Sequence, residues 1–287
     1  MEVKTVEVLP KIFDCFGRPV KGKGRARRKA SSVTPVDSYS ERNEVCRCLY
    51  RRKTLLATLG LSTGFFIDIL SERTKAETVK DIQAAYDRYA SEYDELDDGM
   101  AADFLRLPEL RRSLLRRASG NVLEVGVGTG INLPLYDKRK VSSVTGVDLS
   151  VGMLHEAEQR VRRIGSDGLV TLQQADVESL PFADSSFDAV VDTFSLCVYP
   201  DPLQALREMA RVLRPGGSVL LLAHTRSTFT PLAVYQDATA QVVRRMGRGC
   251  EWNQDVGGLA ASAGLEVVEQ ERHLGGLISL VVAHPAA

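Results

Sequence analysis

Asn121-Val-Leu-Glu-Val125 runs straight into Gly126-Val-Gly-Thr-Gly130. The first five residues are mostly apolar and read as a buried strand; glycines at alternate positions then end it in a loop. The same grammar repeats downstream. Val144-Thr-Gly-Val-Asp148 is a second strand ending in an acid, and Val151 to Arg163 reads as a helix. Val170 to Gln174 is a third strand, followed by Asp176. Phe187 to Phe194 is a fourth, with a helix over Asp201 to Leu213 behind it. Arg214-Pro-Gly-Gly217 turns into a fifth strand, Ser218–His224. Upstream, Glu77 to Leu96 is helical, with Ile82, Tyr86, Tyr89 and Tyr93 forming one stripe, and Pro108 opens a further helical stretch. Strand and helix in strict alternation predict a parallel sheet covered on both faces. Leu265–His273 and Leu277–His284 break the alternation, because the short Gly275-Gly276 link forces them to pair antiparallel. The expected fold is α/β: a doubly wound, mostly parallel seven-stranded sheet closed by a C-terminal antiparallel hairpin.

The chain has 287 residues, 44% hydrophobic and 26% charged, which excludes a fibrous or wholly disordered protein. No apolar run approaches the roughly 20 residues of a membrane-spanning helix. Lys+Arg and Asp+Glu both total 37, which argues against a dedicated nucleic-acid binder. The balance is uneven, however. Residues 1–76 carry 16 basic and 8 acidic side chains, and the remainder carries 21 and 29. Arg18 to Lys29 holds seven basic residues and no acid, so residues 1–53 read as a basic arm, either solvated and disordered or a targeting segment. Ser31, Ser32, Ser38 and Ser40 favour targeting; Glu2, Glu7 and Asp14 oppose it. Arg51-Arg52-Lys53 precedes an uncharged run over residues 54–67, inside a segment (54–75) expected to be an apolar helix. Fourteen helical residues reach roughly 21 Å, short of a hydrocarbon core. A signal segment, a short membrane anchor, an amphipathic surface helix and a helix packed on the domain all fit. Residues 76–287 form the expected catalytic domain. Cys15, Cys46, Cys48, Cys197 and Cys250 are odd in number and lack CxxC or Cys/His ligand spacing, so no metal site is expected and a reducing compartment is favoured.

The loop and its acids suggest a ligand. Glycines allow a nucleotide-like molecule to approach the backbone. The third glycine comes one position earlier than in a dinucleotide fingerprint, and Ile131 stands where that fingerprint has Gly or Ala, which weakens a pyrophosphate reading and with it a nicotinamide oxidoreductase. Glu124, Asp148 and Asp176 lie in or after three successive strands, at the sheet edge where α/β ligands bind. Asp148 is placed for ribose hydroxyls, and Asp176 with Val177 for an exocyclic adenine amine. An acidic lining without Lys or Arg in the loop suits S-adenosylmethionine, a sulfonium that lacks phosphate.

This constellation resembles the class I S-adenosylmethionine-dependent methyltransferases from about Ala76 to Pro285. Glu124-Val-Gly-Val-Gly-Thr-Gly130 looks like their first motif, and Leu213-Arg-Pro-Gly-Gly217 like the turn before their fifth strand. Phe182-Ala-Asp-Ser-Ser-Phe-Asp188 and Tyr86-Asp-Arg-Tyr-Ala-Ser-Glu-Tyr-Asp94 are similar to the ubiquinone/menaquinone C-methyltransferase branch, in which the latter belongs to a helix over the cofactor. Asp192-Thr-Phe-Ser-Leu-Cys-Val198 and Gly249-Cys-Glu-Trp-Asn253 look like the organellar Oxa-mutant-suppressor methyltransferase-like proteins and the membrane-attached alkyl-thiol S-methyltransferase-like proteins. The resemblance implies a cofactor site of Tyr86, Tyr93, Glu124, Gly126, Val127, Gly128, Thr129, Gly130, Asp148, Leu149, Met153, Asp176, Val177 and Thr193. It implies a small methyl acceptor, lipophilic or thiol- or quinone-like, no nucleic-acid partner, and a mitochondrial or chloroplast address with a membrane surface as a candidate partner; a cytoplasmic address is the alternative. An organelle assembly factor that keeps the fold without turnover is the competing function.

Methyl transfer from a sulfonium is an in-line displacement with a good leaving group, so alignment and a dry pocket carry most of it. A base is needed only for an acceptor that must lose a proton. His224, the first polar residue after an apolar strand, is the candidate base, against a plain strand-end histidine. Cys197 reads as a small buried hydrophobe. Cys250 and Trp252 fall in a stretch that the resemblance makes an acceptor lid. The sequence does not set the oligomeric state.

Overall fold

The computed structural model describes residues 79–93, 105–166 and 168–286. The basic arm (1–53) and the apolar segment (54–75) lie outside the described residues. Seven strands form one sheet in the order β3-β2-β1-β4-β5-β7-β6. They are β1 (Gly120–Val125), β2 (Val141–Asp148), β3 (Val170–Gln174), β4 (Phe187–Thr193), β5 (Leu213–His224), β6 (Leu265–His273) and β7 (Ile278–Pro285). The first five pair in parallel; β7 runs antiparallel to both β5 and β6. The expected parallel sheet and closing hairpin are both present. The hairpin's second strand slots inward, against β5.

Alternation along the strands splits the core in two. Leu123, Val190 and Leu221 face one side with Leu206 and Met209 of helix α4 (Pro202–Val212) and Val256 and Ala260 of α6 (Val256–Ser262). Val122, Val191, Leu220 and Leu222 face the other, with Leu110 and Leu114 of α2 (Leu107–Leu115) and Leu154 and Val161 of α3 (Val151–Arg163). Leu114, Leu123, Leu220, Leu221, Leu222 and Leu280 are fully buried, each contributing about 1.5–3 kcal/mol from water exclusion. Side chains of opposite parity on one strand bury on opposite faces, so the middles of the central strands are mostly apolar, with Glu124 and Asp192 as buried exceptions near their C-terminal ends.

Helix starts follow local chemistry. Ser150 accepts the Met153 amide at the head of α3, Asp201 accepts Gln204 at α4 and Asp255 accepts Gly258 at α6. Arg160, Arg162 and Arg163 end α3, where the helix dipole favours cations. Within the Glu77–Leu96 expectation, the described residues form helix α1 (Val79–Tyr89) and a single turn, Ala90–Glu92; residues 77–78 and 94–96 lie outside the described residues. Two elements were not read from the sequence: α6 and the longer α5 (Thr230–Met246). The expected turn at Arg214–Gly217 lies within β5 as a register shift. Leu213 pairs with Phe187, and pairing resumes at Ala189 with Ser218.

Candidate active site

A cavity opens at the C-terminal ends of β1 to β4, roofed by α1 through Ile82, Gln83 and Tyr86. It encloses about 830 Å³ out to its open mouth. Ten of the residues named from sequence line it: Tyr86, Tyr93, Gly126, Gly128, Asp148, Leu149, Met153, Asp176, Val177 and Thr193. Phe194, Ser195, Val198 and Tyr199 extend the wall beyond β4. Among the described residues the lining carries three carboxylates (Asp148, Asp176 and Glu178) and no Lys or Arg. A cationic ligand suits that wall.

Both Asp148 oxygens are anchored to backbone. Oδ2 accepts the Gly128 amide at 2.9 Å and Oδ1 the Ser150 amide at 2.9 Å. Each oxygen keeps a further lone pair for a ligand hydroxyl. Burial raises the Asp148 carboxyl to about 6; the amides of Ser150, Gly128 and Leu149 pull it back, and Asp87 on α1 pushes it up. Gly126 has φ +58°, and a Cβ there would run into the Ser195 side chain and approach the Tyr199 hydroxyl at 3.0 Å. Only glycine lets β1 end that close to the segment after β4. Asp176 accepts the Glu178 amide at 2.9 Å and thereby starts the single turn Val177–Ser179.

Four of the sequence-named residues do not line the cavity. Val127 packs in the α2/α3 core, and Gly130 fits against Leu133 and Ala157. The Thr129 carbonyl accepts Arg160 Nε at 2.9 Å, tying the loop to α3. Glu124, 1% exposed, points behind the loop. Its Oε1 accepts Asn132 Nδ2 and its Oε2 the Tyr136 hydroxyl, both at 2.8 Å. Asn132 also donates to Thr193 Oγ1 at 3.0 Å and accepts from Arg111 at 3.1 Å. Arg111 donates to Thr193 Oγ1 at 2.6 Å. Glu124 thus belongs to a buried polar network under the cavity floor. Burial lifts its carboxyl to about 7 against the hydrogen bonds of Tyr136 and Asn132 and the charge of Arg111.

Sequence reasoning missed Arg111, Asn132, Tyr136 and Asp192. Fully buried Asp192 accepts from the Ser195 and Tyr199 hydroxyls, at 2.8 and 3.0 Å, and from the Ser195 and Leu196 amides. It folds the chain after β4 into the cavity wall, and burial raises its carboxyl to about 6. Arg111 had a readable signal: it falls on the stripe of Leu107, Leu110, Leu114 and Leu115, where a surface arginine does not belong.

The roof is latched. Asp87 Oδ1 on α1 accepts Ser150 Oγ at 2.5 Å and the Gly152 amide at 3.0 Å. A Cβ on Gly152 would lie 2.9 Å from the Asp87 carbonyl oxygen, so the two helices meet only because residue 152 has no side chain. Arg248 stacks over the Tyr89 ring at 3.4 Å.

His224 does not line the cavity. Its Nδ1 lies 3.7 Å from Cys197 Sγ and 3.5 Å from Cys250 Sγ, and its ring tilts against Phe194 at 5.2 Å. Trp252 packs edge-on to Tyr235 of α5 and donates to the Gln236 carbonyl, also away from the cavity.

A family model described as a methyltransferase domain matches residues 123–221. A phosphatidylethanolamine N-methyltransferase of Cereibacter sphaeroides is 42% identical over 153 residues, 53% of this chain and 72% of the relative. The ubiquinone/menaquinone biosynthesis C-methyltransferase UbiE of Escherichia coli is 32% identical over 192 residues, 65% of this chain and 75% of the relative. The chain belongs to the class I S-adenosylmethionine-dependent methyltransferases. S-adenosylmethionine is therefore its methyl donor. The mitochondrial methyltransferase OMS1 of Saccharomyces cerevisiae is 31% identical over 213 residues, 68% of this chain but 45% of that protein. The [4+2]-cyclase SpnF matches 73% of this methyltransferase and 97% of its own chain at TM-score 0.60 and 19% identity. That likeness speaks for the fold alone, and SpnF's description as a cyclase illustrates that a fold does not fix a reaction.

Proposed function

We propose that this methyltransferase acts on a small acceptor, lipophilic or thiol- or quinone-like, reaching the cavity past Tyr86, Tyr93 and Phe194. The observation that carries the reading is the acidic, cation-free wall under an aromatic roof, with Asp148 fixed by two backbone amides. In this reading the Asp148 oxygens accept the cofactor's ribose hydroxyls. Asp176 and the Val177 backbone meet the adenine side. Gly126, Gly128, Leu149, Met153 and Thr193 shape the bed, while Tyr86 and Tyr93 close it from above. Glu124, Val127, Thr129 and Gly130 act one layer back, by holding the loop. S-adenosylmethionine bound there supplies an electrophilic methyl group on a sulfonium. The chain's contribution is alignment and exclusion of water, which α1 provides through its latch to Ser150 and Gly152. An acceptor that is already anionic needs no base, and the cavity wall offers no histidine among the described residues. The relatives, a phosphatidylethanolamine N-methyltransferase and a ubiquinone/menaquinone C-methyltransferase, favour small acceptors over macromolecules.

The test is calorimetric titration of the full chain with S-adenosylmethionine, beside Asp148→Ala and an NAD control, followed by a screen of thiols, quinone precursors and phospholipids for methyl uptake. Micromolar binding that Asp148→Ala weakens at least tenfold, with turnover of one acceptor class, supports the reading. Binding with no turnover across the screen would favour an assembly factor that retains the cofactor.

Among the described residues, no helix is long and apolar enough to cross a membrane. We further infer an organellar address carried by residues 1–53, with 54–75 as the surface-docking segment before a catalytic domain at 76–287. The charge step between residues 1–76 and the rest of the chain and the likeness to a mitochondrial protein support this. Imaging of residues 1–76 fused to a fluorescent protein checks it; a diffuse cytoplasmic signal overturns it.

A further inference from the structure

Three soft or borderline donors converge beside the cavity. Cys197 lies on the single turn Leu196–Val198 after β4, His224 ends β5, and Cys250 follows α5. Cys197 and Cys250 are 53 residues apart in sequence, yet their Sγ atoms are 3.1 Å apart. The imidazole Nδ1 stands 3.7 and 3.5 Å from them, and all three atoms fall within 4.8 Å of one another. Both thiols are buried, at 3% and 7% exposure. The expectation of no metal site rested on short-range ligand spacing, which cannot detect donors brought together by three separate elements.

We propose that Cys197, His224 and Cys250 bind a zinc ion. Zinc–sulfur bonds of about 2.3 Å and zinc–nitrogen bonds of about 2.05 Å at tetrahedral angles put sulfur about 3.8 Å from sulfur and about 3.5 Å from nitrogen. The two S–N separations already meet that requirement. The sulfurs need to part by about 0.7 Å, a small rotation of either side chain. A Cys₂His donor set matches zinc's affinity for thiolate and imidazole and gives no purchase to calcium or magnesium. Binding exchanges two thiol protons, released to solvent, for one divalent cation, and no electron moves. Three protein donors leave the fourth position to water. The imidazole separates this site from a simple cysteine pair: a disulfide would not need a nitrogen equidistant from both sulfurs.

The site would act as a brace. The Glu251 amide already donates to the Cys197 carbonyl at 2.8 Å, holding the segment after α5 against the turn whose Val198, with the preceding Ser195, forms part of the cavity wall. An ion bound to residues 197, 224 and 250 would fix the ends of β4 and β5 and that segment as one unit. Removing it should loosen the wall without touching Asp148.

The test uses the full chain purified anaerobically with reductant from zinc-supplemented cells. Elemental analysis should find about one zinc per chain, and Cys197→Ser, Cys250→Ser and His224→Ala should each lower it at least tenfold. Cys15, Cys46 and Cys48 remain in all three variants, so a loss assigns the ion to this cluster. Cobalt added to the zinc-free protein should give a tetrahedral visible spectrum with a sulfur charge-transfer band that weakens in either serine variant. A strong chelator should lower the wild-type Tm and leave the variants unmoved. Should the variants not fold, the cobalt spectrum and the chelator shift on wild-type protein still decide. A folded wild type with neither zinc nor a cobalt spectrum overturns the proposal. So does a Cys197–Cys250 disulfide persisting under reductant, which would make the pair a redox element instead.

Discussion

Glu124 shows how strand parity decides what a motif acid touches. It sits in the glycine-loop motif, yet strand parity turns it toward Asn132 and Tyr136, away from the cavity. The facing groups are Arg111 from α2, Asp192 from β4 and the Tyr136 phenol. Its folded value of about 7 lies above the ordinary 4.5, so the folded protein holds this proton more tightly than the unfolded chain. The resulting stability is complete below about pH 4.5 and is lost as pH rises through about 7. Glu124→Gln should therefore gain roughly 3 kcal/mol relative to wild type between pH 4 and pH 9, read by urea unfolding at both values. Cofactor affinity should change less than threefold. Asp148 predicts the opposite dependence for binding. Only its carboxylate can accept two hydroxyls, so affinity for S-adenosylmethionine should fall as pH drops through about 6, and Asp148→Asn should abolish that dependence while weakening binding ten- to hundredfold. The acids themselves were legible because they lie at or just beyond the C-terminal ends of successive strands. Which face each one used was not, since a strand's parity fixes alternation but not which side holds the ligand.

At the scale of elements, α1 and α3 are held in contact by one carboxylate and one missing side chain. Gly152→Val should push the roof off the cavity. Proteolysis within α1 should accelerate and cofactor affinity drop several-fold, while the denaturant midpoint of the core moves little. Asp87→Ala should mimic it more weakly, and the double variant should be less than additive because both act on one contact. Helices α3 and α4 were readable from their places between strands, and Ser150 and Asp201 fix where they start. The Asp87 latch was not, since its partners lie 63 and 65 residues away. Helix α5 also escaped notice. Its partly exposed apolar residues, Val234, Val242 and Met246, do not form a clean stripe, and its anchoring depends on buried Gln236 donating to the Thr225 and Trp252 carbonyls.

At the scale of the molecule, the parallel sheet followed from alternation as far as β5 and the hairpin from its short link, while the strand order came only from the structure. The core's division into two layers follows from parity. Leu280 of β7 is fully buried in the α2/α3 layer, so Leu280→Ala should cost about 3 kcal/mol, seen as a lower urea midpoint with an unchanged slope. The position of β7 also has a consequence in time. It follows β6 in the chain but lies inside it, wedged between β6 and β5. Until β7 has been made, β5 has an unpaired edge in the middle of what will become the sheet, and its leucines lack half their cover. A ribosome-bound chain can assemble β1 to β5 with their helices. It cannot seal the far side. The strands that carry the cavity thus precede the flank that closes the sheet, so a chaperone meets this protein as an unfinished sheet whose open edge lies far from the cavity.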